Sequence, residues 1–377
     1  MIGSREIAKH SIRTHRGALF IGVVCCLLLS ACTTPADSRN MAPGGGNATT
    51  TSAVPTATPT IDTTLKNQGK DQLQAYQHWL SLLKKYSSDV STYQQQYTDD
   101  QQGLQSAQAP QDYKTALSTL QTHVAALEIL ALKAEAQSLQ QNFQQQVAGW
   151  SQQHSYYDDF NNTYYPLGFE YGVNGVGGWS SYALNTAQTA ADYQQAIANL
   201  AMYQANFQAM MNNATDKTPY DQPHAADLGL MRQNNKMSGK VVVISLAEQA
   251  MRVYQDGALV NAFLVTTGRP NRPSLPGIWW VEGKQSPTVF KAGVPKDSPN
   301  WYPDTPIHYA MQYHSNGYYI HDSWWRANYG PGTNFPHEDG THDPFSAQGS
   351  HGCVNLAQSN AAWLYDFVSL YTGVIIY

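Results

Sequence analysis

The feature that most restricts the fold is a change of hydrophobic period near Lys240. Before it, apolar residues recur at helical spacing. Leu73, Tyr76, Leu80, Leu83, Val90, Tyr93 and Tyr97 fall largely on steps of three and four, and Tyr113, Leu117, Leu120, Val124, Leu127, Ala131 and Ala134 do the same. Such spacing lays one apolar stripe along each helix, and a partner must cover it. After Lys240 the apolar runs are short and β-branched. KVVVISL (240–246) and AMRVY (250–254) lead to Asp256-Gly257, a strong hairpin signal, and ALVNAFLVT (258–266) returns. No single period serves both halves, so the architecture must change at that point.

In the first half, Pro110 marks a helix start between two runs. Pro166 and the glycines at 168, 172, 175, 177 and 178 predict a long loop, and a third helical run covers about Ala187 to Met211. Residues 108–127 align without gaps on 188–207, with Asp112-Tyr113 on Asp192-Tyr193, Leu117 on Ile197 and Leu120 on Leu200. This repeat predicts an antiparallel helical bundle. It reads as a spacer, as a wall- or protein-partner-binding module, or as plain helix packing with shared composition. In the second half, further strands are expected at Gly277–Val281, Tyr318–Ile320 and GVIIY (373–377). One helix is expected over Ser359–Tyr371, with Ala362, Leu364, Phe367 and Leu370 inward. The expected fold is multidomain α and β: a helical bundle region, then a mainly-β domain.

The N-terminus is of another kind. Residues 1–17 carry Arg5, Lys9, Arg13 and Arg16 against one acid, Glu6, and residues 18–31 are uncharged and apolar. Fourteen residues are too few to span a bilayer comfortably and suit a signal-peptide core. The run ends in Leu29-Ser30-Ala31-Cys32, which resembles a bacterial lipobox. That resemblance implies acylation of Cys32 and a lipid anchor at the outer face of the cytoplasmic membrane, in the cell envelope. Residues 33–62 are rich in Thr, Ala, Pro and Gly and read as a flexible tether. The expected division is therefore signal peptide 1–31, lipidated Cys and linker 32–62, helical region 63–235 and catalytic domain 236–377. Charged residues are only 13% of the chain and the net charge is −5, so no basic surplus exists to hold nucleic acid. Cysteines stand at 25, 26, 32 and 353 alone. Cleavage before Cys32 leaves no disulfide framework and no four-thiolate zinc site.

Cys353 is then the one unmodified thiol, and it sits in Ser350-His351-Gly352-Cys353-Val354-Asn355. A thiol needs a neighbouring base to become a nucleophile, and a glycine beside it lets backbone N–H groups approach an oxyanion. His321, ending the strand Tyr318-Tyr319-Ile320, supplies a second imidazole. The segment resembles the L,D-transpeptidase (YkuD-type) signature, a Ser/Thr-His-Gly-Cys string preceded by a strand ending in Ile-His. KVVVISLAEQAMRVYQDG and LPGIWWV resemble the family's opening hairpin and its Pro-x-Gly strand. The likeness covers roughly 238–377. It implies Cys353 as nucleophile, His321 as base, and support of the loop by His351 and Ser350. It further implies an oxyanion hole from the N–H groups of Gly352 and Cys353, with Asn355 orienting substrate or loop. The implied substrate is the peptidoglycan stem peptide, joined by 3→3 cross-links, or hydrolysed when water is the acceptor. No cofactor and no metal is implied.

Twenty-eight residues separate His321 from Ser350, nearly twice the usual spacer of that family. Residues 324–345 are read as a lid over the cleft. His337 is a rival base, but it lies in a Pro-rich loop rather than on a rigid strand. His337, Glu338, Asp339, His342 and Asp343 form a polar loop rather than a metal site. Asp322 either orients His321 or is a strand-end acid. Tyr318, Tyr319, Trp324 and Trp325 flank His321 and either line the cleft, with Tyr318 and Trp324 as substrate-binding side chains, or are β-sheet core. The competing readings are a scaffold lipoprotein with an inactive catalytic domain and a thiol hydrolase of another fold. The lipobox makes a direct prediction. Mass analysis of the mature protein finds an acylated Cys32 at the N-terminus, and Cys32→Ala is released or misprocessed; an unmodified N-terminus elsewhere refutes the anchor.

Overall fold

The computed structural model describes residues 60–87, 89–298 and 301–377. The expected signal peptide, Cys32 and nearly all of the linker lie outside the described residues. The first elements are helical: α1 (Thr63–Tyr86), α2 (Ser91–Ser106) and α3 (Pro110–Ser151). Pro110 opens α3, where its missing N–H costs nothing. Tyr113, Leu117, Leu120, Val124, Leu127 and Ala131 of α3 are buried and pack with Tyr76 and Leu83 of α1. By length and composition α3 is apolar enough to cross a membrane. Its apolar residues, however, face α1 and later helices.

The glycine-rich stretch differs from expectation. It holds a hairpin, β1 (Ser155–Asp158) and β2 (Thr163–Pro166), a 3-10 turn, and a helix, α4 (Val176–Thr186). Gly177 and Gly178 lie inside that helix. A Cβ at Gly175 would sit 1.8 Å from the Glu170 carbonyl oxygen, and one at Gly178 would sit 2.1 Å from that of Val173. The glycines allow a tight chain reversal, not a mobile loop. Next come α5 (Ala190–Asn213) and α6 (Ala225–Gln233). The internal repeat is a repeated junction: α2–α3 and α4–α5 turn through Ala107–Ala109 and Ala187–Thr189. Tyr113 and Tyr193, and Leu120 and Leu200, are buried at equivalent places. Thr189 and Asp192 close a capping box on α5. Ala109 denies α3 the same cap.

The β-rich part contains β3 (Lys240–Ser245), β4 (Ala250–Gln255), β5 (Ala258–Leu264) and β6 (Gly277–Trp280). Then follow β7 (Gly283–Gln285), β8 (Thr288–Phe290), β9 (Thr305–Ile307), β10 (Ala310–His314) and β11 (Tyr318–Asp322). The last elements are β12 (Val354–Leu356), α7 (Gln358–Phe367) and β13 (Gly373–Ile376). One sheet has the order β5-β4-β3-β13-β6, and a second has β12-β11-β10-β7. Asp256 and Gly257 both take positive φ (51° and 79°), as a two-residue hairpin turn requires. The last helix ends four residues before the expected Tyr371, and Leu370 is 52% exposed rather than inward. Short strands such as β7, β9 and β12 lack enough residues to show a period, so the sequence does not reveal them.

The boundary expected at 235/236 is no break in packing. Phe207 and Met210 of α5 and Leu230 and Met231 of α6 share one core with Val242, Ile244, Val253 and Ile375 of the five-stranded sheet. A buried polar network crosses the same boundary. The Arg252 guanidinium on β4 donates to the Asp227 carboxylate of α6 through Nε (2.5 Å) and Nη2 (3.1 Å). The Tyr254 hydroxyl donates to Asp227 at 2.6 Å. Arg252 and Asp227 are both fully buried. Arg252 Nη1 also donates to Glu248 at 2.8 Å, so loss of Asp227 removes the fully buried counter-charge and leaves a partly exposed one. Asp227→Ala is therefore expected to lower unfolding free energy by about 3 kcal/mol, the low end for a broken buried pair, measured by denaturant titration.

Candidate active site

The site is built where β11 meets β12. The strands pair in parallel, with His321 opposite Asn355 and Ile320 opposite Val354. A parallel pair needs a long crossover, and residues 323–353 supply it. Cys353 immediately precedes β12, so the pairing that seats Asn355 beside His321 also fixes the nucleophile loop. Cys353, His321, Asn355, Ser350 and His351 all line one cleft of about 400 Å³. Its walls include Phe290, Tyr302, Trp324, Trp325 and Phe345.

His321 is 4% exposed. Its Nδ1 lies 2.7 Å from the Asp322 carbonyl oxygen, which can only accept, so Nδ1 carries the proton. Nε2 then accepts from the Asn355 side-chain amide at 3.1 Å. Burial pulls the His321 pKa down to about 4, against the opposing pull of the Asp322 carbonyl and carboxylate. The imidazole is thus neutral at ordinary pH, with its lone pair on Nε2. The Asp322 carboxylate does not touch the ring; it accepts from the N–H groups of His308 and Tyr309 and from His308 Nδ1.

Cys353 is half-buried, and burial pushes its thiol up to about 11, with a backbone N–H of Tyr319 pulling the other way. Its Sγ sits 3.9 Å from the Gly317 carbonyl oxygen. Among the described residues no hydrogen bond joins Sγ to His321. The loop around it is locked by Ser350, whose Oγ donates to the Cys353 carbonyl at 2.5 Å and accepts from the Gly352 N–H at 3.0 Å. Ser274 Oγ donates to the Gly352 carbonyl at 2.8 Å. Gly352 has φ +115°, and a Cβ there would lie 2.7 Å from the Tyr318 ring, so two constraints demand glycine.

Several expected residues stand elsewhere or act otherwise. The Gly352 N–H, expected in an oxyanion hole, is taken by Ser350 Oγ. The Cys353 N–H bonds no backbone carbonyl among the described residues. Tyr318 does not line the cleft; it packs under Gly352 against Trp179 and His314. Trp324 does line it, 52% exposed, with Nε1 donating to the Pro306 carbonyl. His337 lies away from the cleft, its Nδ1 2.8 Å from the Phe335 carbonyl oxygen. Asp339 staples the 324–345 segment: burial would raise its pKa, but bonds from Thr341, Asn328 and Ala327 outweigh that and hold it at about 2. Arg326 donates to the carbonyls of Ser346, Phe345 and Gln348. Phe335 is buried between Tyr156 and Tyr165. The segment read as a lid is thus anchored along its length and forms a wall. Among the described residues no group of three or more His, Cys, Asp or Glu is placed to hold a metal.

Arg269 was not singled out from the sequence. It donates from Nη2 to His351 Nε2 at 3.1 Å. A guanidinium has no acceptor, so His351 is neutral with its proton on Nδ1. Burial, then the positive charges of Arg269 and Arg272, lower the His351 pKa to about 4. The one local signal that could have found it is the pair of arginines in the Gly- and Pro-rich string GRPNRPSLPG (268–277).

A YkuD-type L,D-transpeptidase catalytic domain occupies the C-terminal part: residues 239–376 match that family. L,D-transpeptidase 1 of Mycobacterium tuberculosis is 28% identical over 131 residues, 34% of this chain and 46% of the relative. L,D-transpeptidase 2 of the same species is 29% identical over 121 residues, 31% of this chain and 26% of the relative. The matched segment thus spans less than half the length of these curated relatives. Among solved structures, an L,D-transpeptidase from Mycobacterium smegmatis aligns at 23% identity with a TM-score of 0.30, covering 37% of this chain and 59% of that one.

The two depressed histidines set a pH dependence. Unfolded, each imidazole titrates near 6.5; folded, each resists protonation until about 4. The unfolded chain therefore binds more protons between these values, and stability falls as pH drops from about 6.5 to 4. Arg269→Gln removes a positive charge and should raise the His351 pKa, read by NMR titration of the ring, while leaving His321 unmoved.

Proposed function

We propose that this chain is an envelope L,D-transpeptidase that forms 3→3 cross-links in peptidoglycan through a Cys353 acyl-enzyme. The observation that carries the reading is the shared cleft of Cys353 and His321, held by adjacent parallel strands. The thiol is protonated at rest and the imidazole is neutral, so the proton leaves Sγ as the C–S bond forms. His321 Nε2 is the acceptor; at rest its lone pair holds the Asn355 amide N–H, and that bond is given up as the nitrogen takes the thiol proton. Cys353 attacks the carbonyl of the third, diamino-acid residue of a stem tetrapeptide. The Cys353 N–H supports the oxyanion. The C–N bond breaks, and the imidazolium returns its proton to the departing amine of the terminal D-Ala. An amine of a second stem then attacks the thioester, its proton passes back through His321 to Sγ, and the cross-link leaves. Water in place of the amine gives L,D-carboxypeptidase activity. His351 and Ser350 hold the loop, and the aromatic walls receive the peptide. The apolar N-terminal run and Cys32 support export and lipid anchoring, which would place the domain beside its substrate.

Incubation with a carbapenem followed by mass spectrometry tests the nucleophile. The wild-type chain gains one drug mass and Cys353→Ala gains none, while circular dichroism of the two is the same. An adduct on the variant refutes the assignment. His321→Ala should slow acylation by about 10²–10⁴-fold, the usual worth of a general base. Product analysis with disaccharide-tetrapeptide then separates cross-linked dimer from tripeptide.

A further inference from the structure

The hairpin β1–β2 presents two faces of different character. Tyr156 and Tyr165, a directly opposed pair, face inward and stack on Phe335, with centroids 5.5 and 4.8 Å from its ring. Tyr157 and Tyr164, the next pair, face outward. They are 41% and 69% exposed, and their rings lie 4.8 Å apart at 46°. Phe160 at the tip is 61% exposed. Three large aromatic rings together in solvent mark a contact surface.

The surface is rigid before any ligand arrives. The Tyr157 hydroxyl donates to Asn162 Oδ1, which fixes that ring. The Asp158 carboxylate accepts from the N–H groups of Phe160 and Asn161 and from the Asn161 amide, which fixes the turn. Little entropy remains to be lost on binding. The chemistry also selects the occupant. Residues 154–168 contain two acids, Asp158 and Asp159, and no Lys or Arg. A polyanion or an acidic lipid finds no countercharge there. Flat tyrosine faces carry a negative π surface that the C–H face of a pyranose ring can cover. The Asn161 Oδ1, the Asn162 amide N–H groups and the Thr163 hydroxyl at the rim are the polar partners left for sugar substituents.

Position ties this surface to the cleft. The inner face of the hairpin rests on the segment that builds the cleft wall, with Asn161 Nδ2 donating to the Pro336 carbonyl at 3.4 Å. The carbonyl of Asn334, next to Phe335, packs against Gly349, which lines the cleft. We propose that the outer face of β1–β2 binds the glycan strand of peptidoglycan, with Tyr157 and Tyr164 stacking on sugar rings, while the attached peptide enters the cleft. The inference rests on the stem-peptide reading above.

Binding is measured with the full-length protein in detergent carrying Cys353→Ala, so that no turnover occurs. The probes are glycan strands stripped of peptide and, as a soluble form, N-acetylglucosamine oligomers. The expected result is binding that falls at least tenfold in Tyr157→Ala/Tyr164→Ala and survives in Tyr157→Phe. Carbapenem acylation of Cys353-containing protein with the same tyrosine changes should match wild type, which shows that the fold and cleft are intact. Glycan binding equal in wild type and the double variant, or absent from both, overturns the proposal. So does a dimer that the double variant abolishes in sedimentation, since the patch is then a contact between copies. Failure of acylation in the wild type with glycan binding retained refutes the transpeptidase reading alone.

Discussion

The parallel register of β11 and β12 is the constraint on which the site depends. It places Asn355 opposite His321 and leaves Cys353 at the mouth of β12. Because side chains in a strand alternate in direction, a one-residue slip would turn Asn355 away from the imidazole. The register is held outside the pair as well. Thr266 and Asn355 exchange backbone hydrogen bonds, and Gly268 bridges Ser350. The nucleophile loop is thereby tied to the end of β5 on one side and to β11 on the other.

A second constraint lies deeper. Helices α5 and α6 share a core with the five-stranded sheet, and the Arg252–Asp227 pair crosses that contact. A buried ion pair adds little net stability over an apolar substitute, but it penalises every arrangement that separates its members. Here it sets one docking of helices on sheet. The same docking carries Trp179 of α4 onto Tyr318, which in turn lies under Gly352. The helical region is therefore part of the support for the nucleophile loop.

The crossover between β11 and β12 shows how a long insertion becomes structure. A free lid would need few internal bonds. This segment instead directs a buried arginine at three carbonyls, an aspartate at backbone N–H groups, and Phe335 into a slot between two tyrosines. Its aromatic and polar residues looked like a cover because their partners, such as Tyr156 and Tyr165, lie far away in sequence.

What the sequence determined by itself was whatever is encoded locally. The change of period at Lys240, the Asp256-Gly257 turn, Pro110 at a helix start and the compact Ser350–Asn355 string each depend on neighbours within a few residues. Helical stripes and β-branched runs report burial at short range, so both halves of the fold were legible, and so was the motif of the catalytic domain. Tertiary structure decided what needs contacts between distant residues. It gave the Gly352 N–H to Ser350, sent Tyr318 beneath the loop instead of into the cleft, brought Arg269 to His351, and joined the helices to the sheet in one core. The glycines before α4 point the same way: a glycine can serve freedom or close approach, and only the carbonyls packed against it distinguish the two. Hydrogen-bond partners and desolvation are properties of three-dimensional neighbours. Spacing along the chain cannot specify them.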